Sequence, residues 1–249
     1  MTQKSPMKKL CFDGILSSGL TGKGVRVALV DSGINPRHPH VKKISGGVHI
    51  EIDNHNTILR SNVDIADEIG HGTACAGVVR YVAGDCNLYS VKVFGKTPST
   101  YVLVLIEAIE WSIENDMSII NLSLGVKDKK HLRKLRDVCE KACKKGIIII
   151  AAGKRLGEGD YLTSFPNLIV TTSIECNPGE YHYDEASPIK FLASAYPRPL
   201  PGVPVKQNFH GESFSAAWYS GLTALIKERY PLLDTDEIKM LLTSGSDYC

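Results

Sequence analysis

Apolar runs bounded by turn residues recur along this chain, and each run predicts a buried β-strand. Residues 25–31 are the clearest case, because an almost continuous apolar segment follows a turn at residues 21–24 and ends in an acidic residue. Comparable runs occupy residues 48–50, 87–94, 118–125, 146–153 and 167–173. Near-continuous apolar character indicates strands that are covered on both faces.

Segments with helical periodicity separate these runs. Residues 101–115 predict an amphipathic helix, and residues 129–145 predict a strongly basic helix with a solvated face. A helix rich in small residues is expected to begin near residue 71, and a long apolar helix is expected after residue 211. Strands that alternate with helices predict an α/β fold: a three-layer sandwich whose mostly parallel central sheet is flanked by helices.

Composition places the chain among soluble globular proteins. Of its 249 residues, 43% are hydrophobic and 22% are charged, and the net charge of +2 gives no reason to expect nucleic acid or a membrane surface as a partner. No segment has the character of a membrane span, and residues 1–11 lack the apolar core of a signal peptide. Seven cysteines without a Cys-x-x-Cys pair predict reduced thiols and a cytoplasmic location.

Three polar residues stand at the ends of predicted elements, where chemistry is often placed. Asp31 closes the first strand, and the carboxyl ends of strands are where α/β folds build their sites, although an acid that caps a turn fits equally. His71 lies between two glycines at a helix start, and it is either structural or exposed to a cleft. Ser213 lies in the first turn of the long apolar helix, which suits both a nucleophile and an N-cap serine.

Each of these residues lies in a segment that resembles one protein family. The segments read VALVDSGI, GHGT and GESFSA, and they hold Asp31, His71 and Ser213 in that order. Together they resemble the subtilisin-like serine proteases, or subtilases, whose triad follows the same order. Further segments that match the family lie at residues 91–94, 109–111, 120–125 and 150–153.

The resemblance implies a role for each residue of the triad. Ser213 would attack a peptide carbonyl, His71 would take its proton and return it to the leaving amine, and Asp31 would orient the imidazole and stabilise its charged form. The resemblance also implies that two strands bind an extended peptide or protein substrate and wall the pocket for the residue before the scissile bond. The residues at these positions are Ser123, Leu124, Gly125, Ala152 and Gly153.

Two positions depart from the family pattern beside the nucleophile. Lys154 stands where the family carries an Asn that donates to the oxyanion, and Glu212 stands where the family carries Thr. A carboxylate beside an oxyanion repels it, so we predict that Lys154 and Glu212 form an ion pair at the rim of the site, with Lys154 facing the oxyanion. The alternative is that one or both side chains point to solvent.

Segment lengths differ from the family pattern as well. Residues 78–87 lack the long calcium-binding loop of family members, so we predict no calcium there, no other metal and no cofactor. The loop after Lys154 is short, and its Arg155, Glu158 and Asp160 place charge near the specificity pocket, which leaves the preferred substrate residue open.

The resemblance implies a catalytic domain over residues 21–249 after an N-terminal arm of residues 1–20, too short for the propeptide of secreted members. One further hypothesis places this arm in the cleft as a regulator.

These features predict a cytoplasmic serine endopeptidase of narrow specificity that works through an acyl-enzyme. Removal of leader peptides from ribosomally made peptides is one such role, by analogy with other reduced subtilases. The altered residues 154 and 212 favour a different reading, a silent subtilase fold that binds peptides or acts as a scaffold. Peptide ligation through the same acyl-enzyme is a third reading, and no particular oligomeric state is predicted.

Overall fold

The continuous apolar runs become the central strands of one sheet. In the computed structural model of the chain, which describes residues 7–154 and 160–245, this sheet has ten strands. The strands are β1 (Lys8–Leu10), β2 (Arg26–Asp31), β3 (Gly46–Ile52), β4 (Ile58–Ser61), β5 (Asn87–Lys92), β6 (Ile119–Leu122), β7 (Ile148–Ala152), β8 (Ile169–Ile174), β9 (Tyr181–Tyr183) and β10 (Phe191–Ser194). Their order is β1-β9-β10-β8-β7-β6-β2-β5-β3-β4.

The seven strands from β10 to β3 in this order are parallel to one another, whereas β1, β9 and β4 at the two edges pair antiparallel. The helices are α1 (Asp13–Leu16), α2 (His71–Val82), α3 (Val102–Glu114), α4 (Leu132–Lys144), α5 (Glu212–Arg229) and α6 (Thr235–Ser244). The predicted α/β sandwich with a mostly parallel sheet is therefore confirmed.

Each central strand contributes to two cores because its side chains alternate between the faces of the sheet. In β2, Val27 and Leu29 enter the core beneath α2 and α5, whereas Ala28 and Val30 enter the core beneath α3 and α4. All four side chains are fully buried. This two-sided burial explains why the strand reads as one continuous apolar run.

The described part of the N-terminal segment, residues 7–20, contributes a strand to the sheet and side chains to the core. β1 pairs antiparallel with β9, and Leu10, Phe12 and Ile15 are buried in the core. Phe12 packs edge-on against Tyr181 with ring centroids 5.4 Å apart. None of the described residues 7–20 lines the cleft described below, so the hypothesis of a regulator lying there is wrong for this segment.

Helix α5 is the central helix of the fold. Its side chains are buried from Phe214 to Lys227, as expected for a helix enclosed on all sides, and it packs against α2 and several strands. Gly221 allows this close packing, because a Cβ at that position would lie 2.7 Å from the Cβ of Val82 in α2. No helix in the described part of the chain is long and apolar enough to cross a membrane.

The contact between α2 and α5 predicts that Gly221→Ala destabilises the fold. Overpacking of a dense core costs about 1–3 kcal/mol, which exceeds the gain of up to about 1 kcal/mol that alanine brings to a helix interior. We expect a lower midpoint of urea unfolding, measured by circular dichroism. Gly95→Ala is the control, because a Cβ there meets nothing within 4 Å. An unfolding midpoint for Gly221→Ala equal to that of the wild type would contradict this packing.

Candidate active site

The three residues that the sequence singled out meet at one cleft. Asp31 is the last residue of β2, His71 is the first residue of α2, and Ser213 lies in the first turn of α5. All three line a cleft of about 540 Å³. The parallel sheet brings them together because the carboxyl ends of its strands and the helices that follow them open at the same edge.

The contact between Asp31 and His71 is the best-defined part of this cleft. Nδ1 of His71 lies 2.8 Å from Oδ1 and 3.0 Å from Oδ2 of Asp31, whose carboxylate is fully buried. Burial by itself would lower the pKa of His71, but the charge and the hydrogen bond of Asp31 reverse this effect and hold the pKa above its usual value. The imidazole also contacts the rings of Phe209 and Phe214, at centroid distances of 5.9 and 5.5 Å.

The hydroxyl of Ser213 has a different partner from the one that the resemblance implied. Its Oγ donates to the backbone oxygen of Ser123 at 3.2 Å, and no hydrogen bond joins it to His71 among the described residues. A serine hydroxyl changes partner by rotation about one side-chain bond, and such contacts often tighten only when substrate is bound. The structure therefore places Ser213 and His71 in one cleft without a hydrogen bond between them.

Asp67 organises this part of the cleft, and the sequence analysis missed it. Its carboxylate accepts hydrogen bonds at 2.6–2.9 Å from the Ser32 hydroxyl, the backbone N–H groups of Ile69, Gly70 and Thr73, and the Thr73 hydroxyl. Asp67 thereby caps the start of α2 and ties it to the end of β2, while its charge helps to raise the pKa of His71. The available signal was an acid four residues before a helix-opening histidine.

Cys75 is a second residue that the sequence analysis did not assign. It follows His71 by one helical turn, is fully buried, and accepts a hydrogen bond from the Ser123 hydroxyl at 3.8 Å. Burial, and then the negative charge of Asp31, raise the pKa of this thiol well above its usual value. Cys75 therefore lies behind the Asp31–His71 pair as a neutral thiol.

Two groups of described residues have side chains of metal-binding type within 4.8 Å of one another. One is Asp31, His71 and Cys75, and the other is Cys176, Glu180 and His182. The first group is occupied by the hydrogen bonds of the site itself. The prediction that the chain binds no calcium remains a prediction; only residues 83–86 connect α2 to β5.

The predicted substrate-binding positions all line the cleft. They are Ser123, Leu124 and Gly125, which follow β6, and Ala152 and Gly153 at the end of β7. Buried hydrogen bonds connect residues 123–125 to α5. Asn121 donates to the Ser123 hydroxyl at 2.7 Å and accepts from the Ser220 hydroxyl of α5 at 2.9 Å. Any side chain at position 153 would collide with Val170, 2.6 Å from a Cβ built there.

The predicted ion pair between Lys154 and Glu212 is not formed. Both residues border the cleft, but no salt bridge joins them in the described part of the chain. Lys154 is exposed, and its charge instead acts on Asp160, where it helps to lower a pKa that burial raises. Glu212 opens α5, where the positive end of the helix already favours a carboxylate. Arg155 and Glu158 lie outside the described residues.

Comparison with known proteins gives a consistent picture. The model of the subtilase family matches residues 22–247. Subtilisin DY of Bacillus licheniformis is 25% identical over 93% of this chain and 87% of its own length. Subtilisin E of Bacillus subtilis (strain 168) is 28% identical over 93% of this chain, which spans 63% of that protein. A solved structure of a cold-adapted subtilisin-like serine proteinase has a similar fold, with a TM-score of 0.70 at 20% identity, covering 91% of this chain and 83% of that one.

The environment of His71 predicts how the reactivity of Ser213 depends on pH. Only a neutral imidazole can accept the serine proton, so covalent labelling of Ser213 by a fluorophosphonate should be lost as the pH falls through a midpoint above the ordinary value of 6.5. Asp67→Asn removes one of the charges that raise this pKa, and we expect the midpoint to move to lower pH.

Asp53→Asn is the control for this experiment, because Asp53 accepts backbone hydrogen bonds in a turn formed with His55 and Thr57. A midpoint that shifts equally in both variants, or in neither, would contradict the electrostatic role of Asp67.

Proposed function

This chain belongs to the subtilase family of serine endopeptidases, and from that membership we propose that Asp31, His71 and Ser213 are its catalytic triad. The observation that carries the proposal is the contact between the buried Asp31 carboxylate and Nδ1 of His71, in the same cleft as Ser213. Members of the family bind peptides or proteins as substrates. The proposed reaction is hydrolysis of a peptide bond through an acyl-enzyme.

The steps follow from the chemistry of the three groups. Ser213 Oγ leaves the carbonyl of Ser123, attacks the peptide carbonyl carbon, and transfers its proton to Nε2 of His71. The fully buried Asp31 carboxylate stabilises the imidazolium that results. Collapse of the tetrahedral intermediate breaks the C–N bond, and His71 returns the proton to the leaving amine. Water then attacks the acyl-enzyme, with His71 again acting as the base.

The oxyanion of the intermediate needs hydrogen-bond donors. The backbone N–H of Ser213 lies in the first turn of α5, where N–H groups have no partner within the helix. Lys154 contributes a positive charge at the cleft in place of an amide donor. Removal of one oxyanion donor typically costs about 10²–10³ in turnover, so this site is proposed to depend on its backbone donor more than a site with the family's Asn does.

The finer proposal is a cytoplasmic processing enzyme of narrow specificity, such as one that removes leader peptides. Five cysteines, Cys75, Cys86, Cys139, Cys143 and Cys176, form no disulfide in the described part of the chain, which is compatible with a reducing compartment. Charged side chains border the cleft at Lys154 and Asp160, which supports selection among substrates. The leader-peptide role itself rests on analogy with other reduced subtilases.

A second candidate is a silent subtilase fold that binds peptides or acts as a scaffold. The observation that favours it is the hydrogen bond of Ser213 to Ser123, together with Glu212 directly before the nucleophile. Covalent labelling distinguishes the endopeptidase from the silent fold, because a fluorophosphonate labels only an activated serine.

Substitution of Ser213 is the decisive test of the proposed activity. We expect cleavage of peptides in a library by the wild type and none by Ser213→Ala, and fluorophosphonate labelling of the wild type alone. Ser215→Ala is the matched control, because Ser215 lies in the same helix with a buried Oγ that makes no hydrogen bond within the described residues. A folded wild type that neither cleaves nor becomes labelled at pH 8 would favour the silent fold.

The separation of Lys154 and Glu212 predicts independent effects on turnover. Lys154→Asn and Glu212→Thr should each change kcat, and the change in the double variant should equal the product of the single changes, because no ion pair couples them in the described structure. The measurement is kcat for all four proteins on one peptide. A double variant that departs more than about threefold from this product would show coupling of the kind expected for residues in contact.

A further inference from the structure

Asp160 places a carboxylate on the wall of the cleft, beside the predicted substrate-binding segment at residues 123–125. It lines the same cleft as Ser213 and Gly153. A Cβ built on Gly125 would lie 3.0 Å from Oδ2 of Asp160, so this oxygen faces the backbone of the segment formed by residues 123–125. Because Gly125 has no side chain, the carboxylate can lie directly against its backbone.

Within the described residues, backbone N–H groups bind one oxygen of this carboxylate. Oδ1 accepts the N–H of Val126 at 3.1 Å and the N–H of Leu162 at 3.2 Å, and the N–H of Tyr161 donates to the Val126 oxygen at 2.9 Å. These bonds fix the orientation of the side chain. Oδ2 accepts no hydrogen bond from the described residues.

The charge of Asp160 also has no direct counter-ion in the described part of the chain. Lys127 and Lys154 are near enough to lower its pKa, but both are exposed, and the larger effect is burial, which raises it. A half-buried carboxylate of this kind interacts more strongly with a cation than an exposed one does, because less water screens the charge. Because Asp160 lines the cleft and no described residue donates to Oδ2, this oxygen can accept a hydrogen bond from a bound substrate.

A purely structural role would require only Oδ1, which caps the short 3-10 helix Tyr161–Ser164. An asparagine accepts the same backbone hydrogen bonds through its amide oxygen without carrying a charge. The substitution Asp160→Asn therefore distinguishes the two roles, because it keeps the backbone hydrogen bonds and removes the charge.

We propose that Asp160 binds the cationic side chain of a lysine or arginine at the substrate position directly before the scissile bond. This inference rests on the proposed function, because the segments at residues 123–125 and 152–153 are taken to border the pocket for that position. An arginine guanidinium or a lysine ammonium would donate to Oδ2, in a charge-assisted hydrogen bond that a neutral side chain does not provide. The substrate class is thus peptides cleaved after a basic residue.

The test compares fluorogenic peptides that differ only in this residue: arginine, its neutral isostere citrulline, lysine, norleucine and glutamate. For the wild type we expect kcat/KM to be about 10–100-fold higher for arginine than for citrulline, the size of effect that one hydrogen bond to a charged group supports. Asp160→Asn should abolish this ratio and leave kcat/KM for norleucine within about threefold of the wild type. Asp160→Ser is a second variant that can also accept the backbone hydrogen bonds.

Asp128→Asn is the matched control. Asp128 lines the same cleft, and its Oδ1 also accepts a backbone N–H, that of Lys130 at 2.8 Å, but the carboxylate is exposed. We expect this variant to keep the preference for arginine. Equal kcat/KM for arginine and citrulline in the wild type, or a preference that persists in Asp160→Asn, would overturn the proposal.

Binding to Ser213→Ala separates this proposal from the proposed function. The dissociation constants of the arginine and citrulline peptides, measured by fluorescence polarisation, require no turnover. A ratio near one would overturn the role of Asp160, even if the wild type becomes labelled by a fluorophosphonate and cleaves peptides. A tenfold ratio that disappears when Asp160→Asn is added would support the role of Asp160, even in a protein that fails the labelling test.

Discussion

The buried carboxylate of Asp31 is the constraint on which the rest of the cleft depends. A fully buried charge is tolerated only when it is paired and hydrogen-bonded, and here the partners are the N–H of Ser32 at 2.7 Å and the imidazole of His71. This requirement draws the start of α2 against the end of β2. Gly72 permits the approach, because a Cβ at that position would lie 2.2 Å from the backbone oxygen of Gly33.

The position of Ser213 depends on α5 in a similar way. Buried polar groups fix the helix against the sheet. The indole N–H of Trp218 donates to the backbone oxygen of Tyr196 at 3.1 Å, and the Ser220 hydroxyl donates to Oδ1 of Asn121 at 2.9 Å. Because Asn121 also holds the Ser123 hydroxyl, the helix that carries Ser213 and the segment expected to bind substrate are linked through the core. The cleft thus lies between two elements that buried hydrogen bonds connect.

The local sequence pattern predicted the structure correctly where a residue type is compatible with few structural positions. The apolar run at residues 25–31 predicted β2 to within one residue, and the order of Asp31, His71 and Ser213 predicted a group that the fold does bring to one cleft. The pattern failed where a side chain has several possible partners. The long side chains of Lys154 and Glu212 were predicted to pair, but the exposed lysine lies near Asp160, and the carboxylate stands at a helix start.

The sequence by itself determined the α/β sandwich, its family and the three residues of the cleft, because hydrophobic periodicity and short motifs are local properties of a chain. Only the tertiary structure decided which side chains surround them. Asp67 became the cap of α2, and Asp160, separated from Gly125 by more than thirty residues, came to lie against its backbone. Such contacts depend on the packing of distant segments against the sheet, and they cannot be predicted from a local sequence pattern.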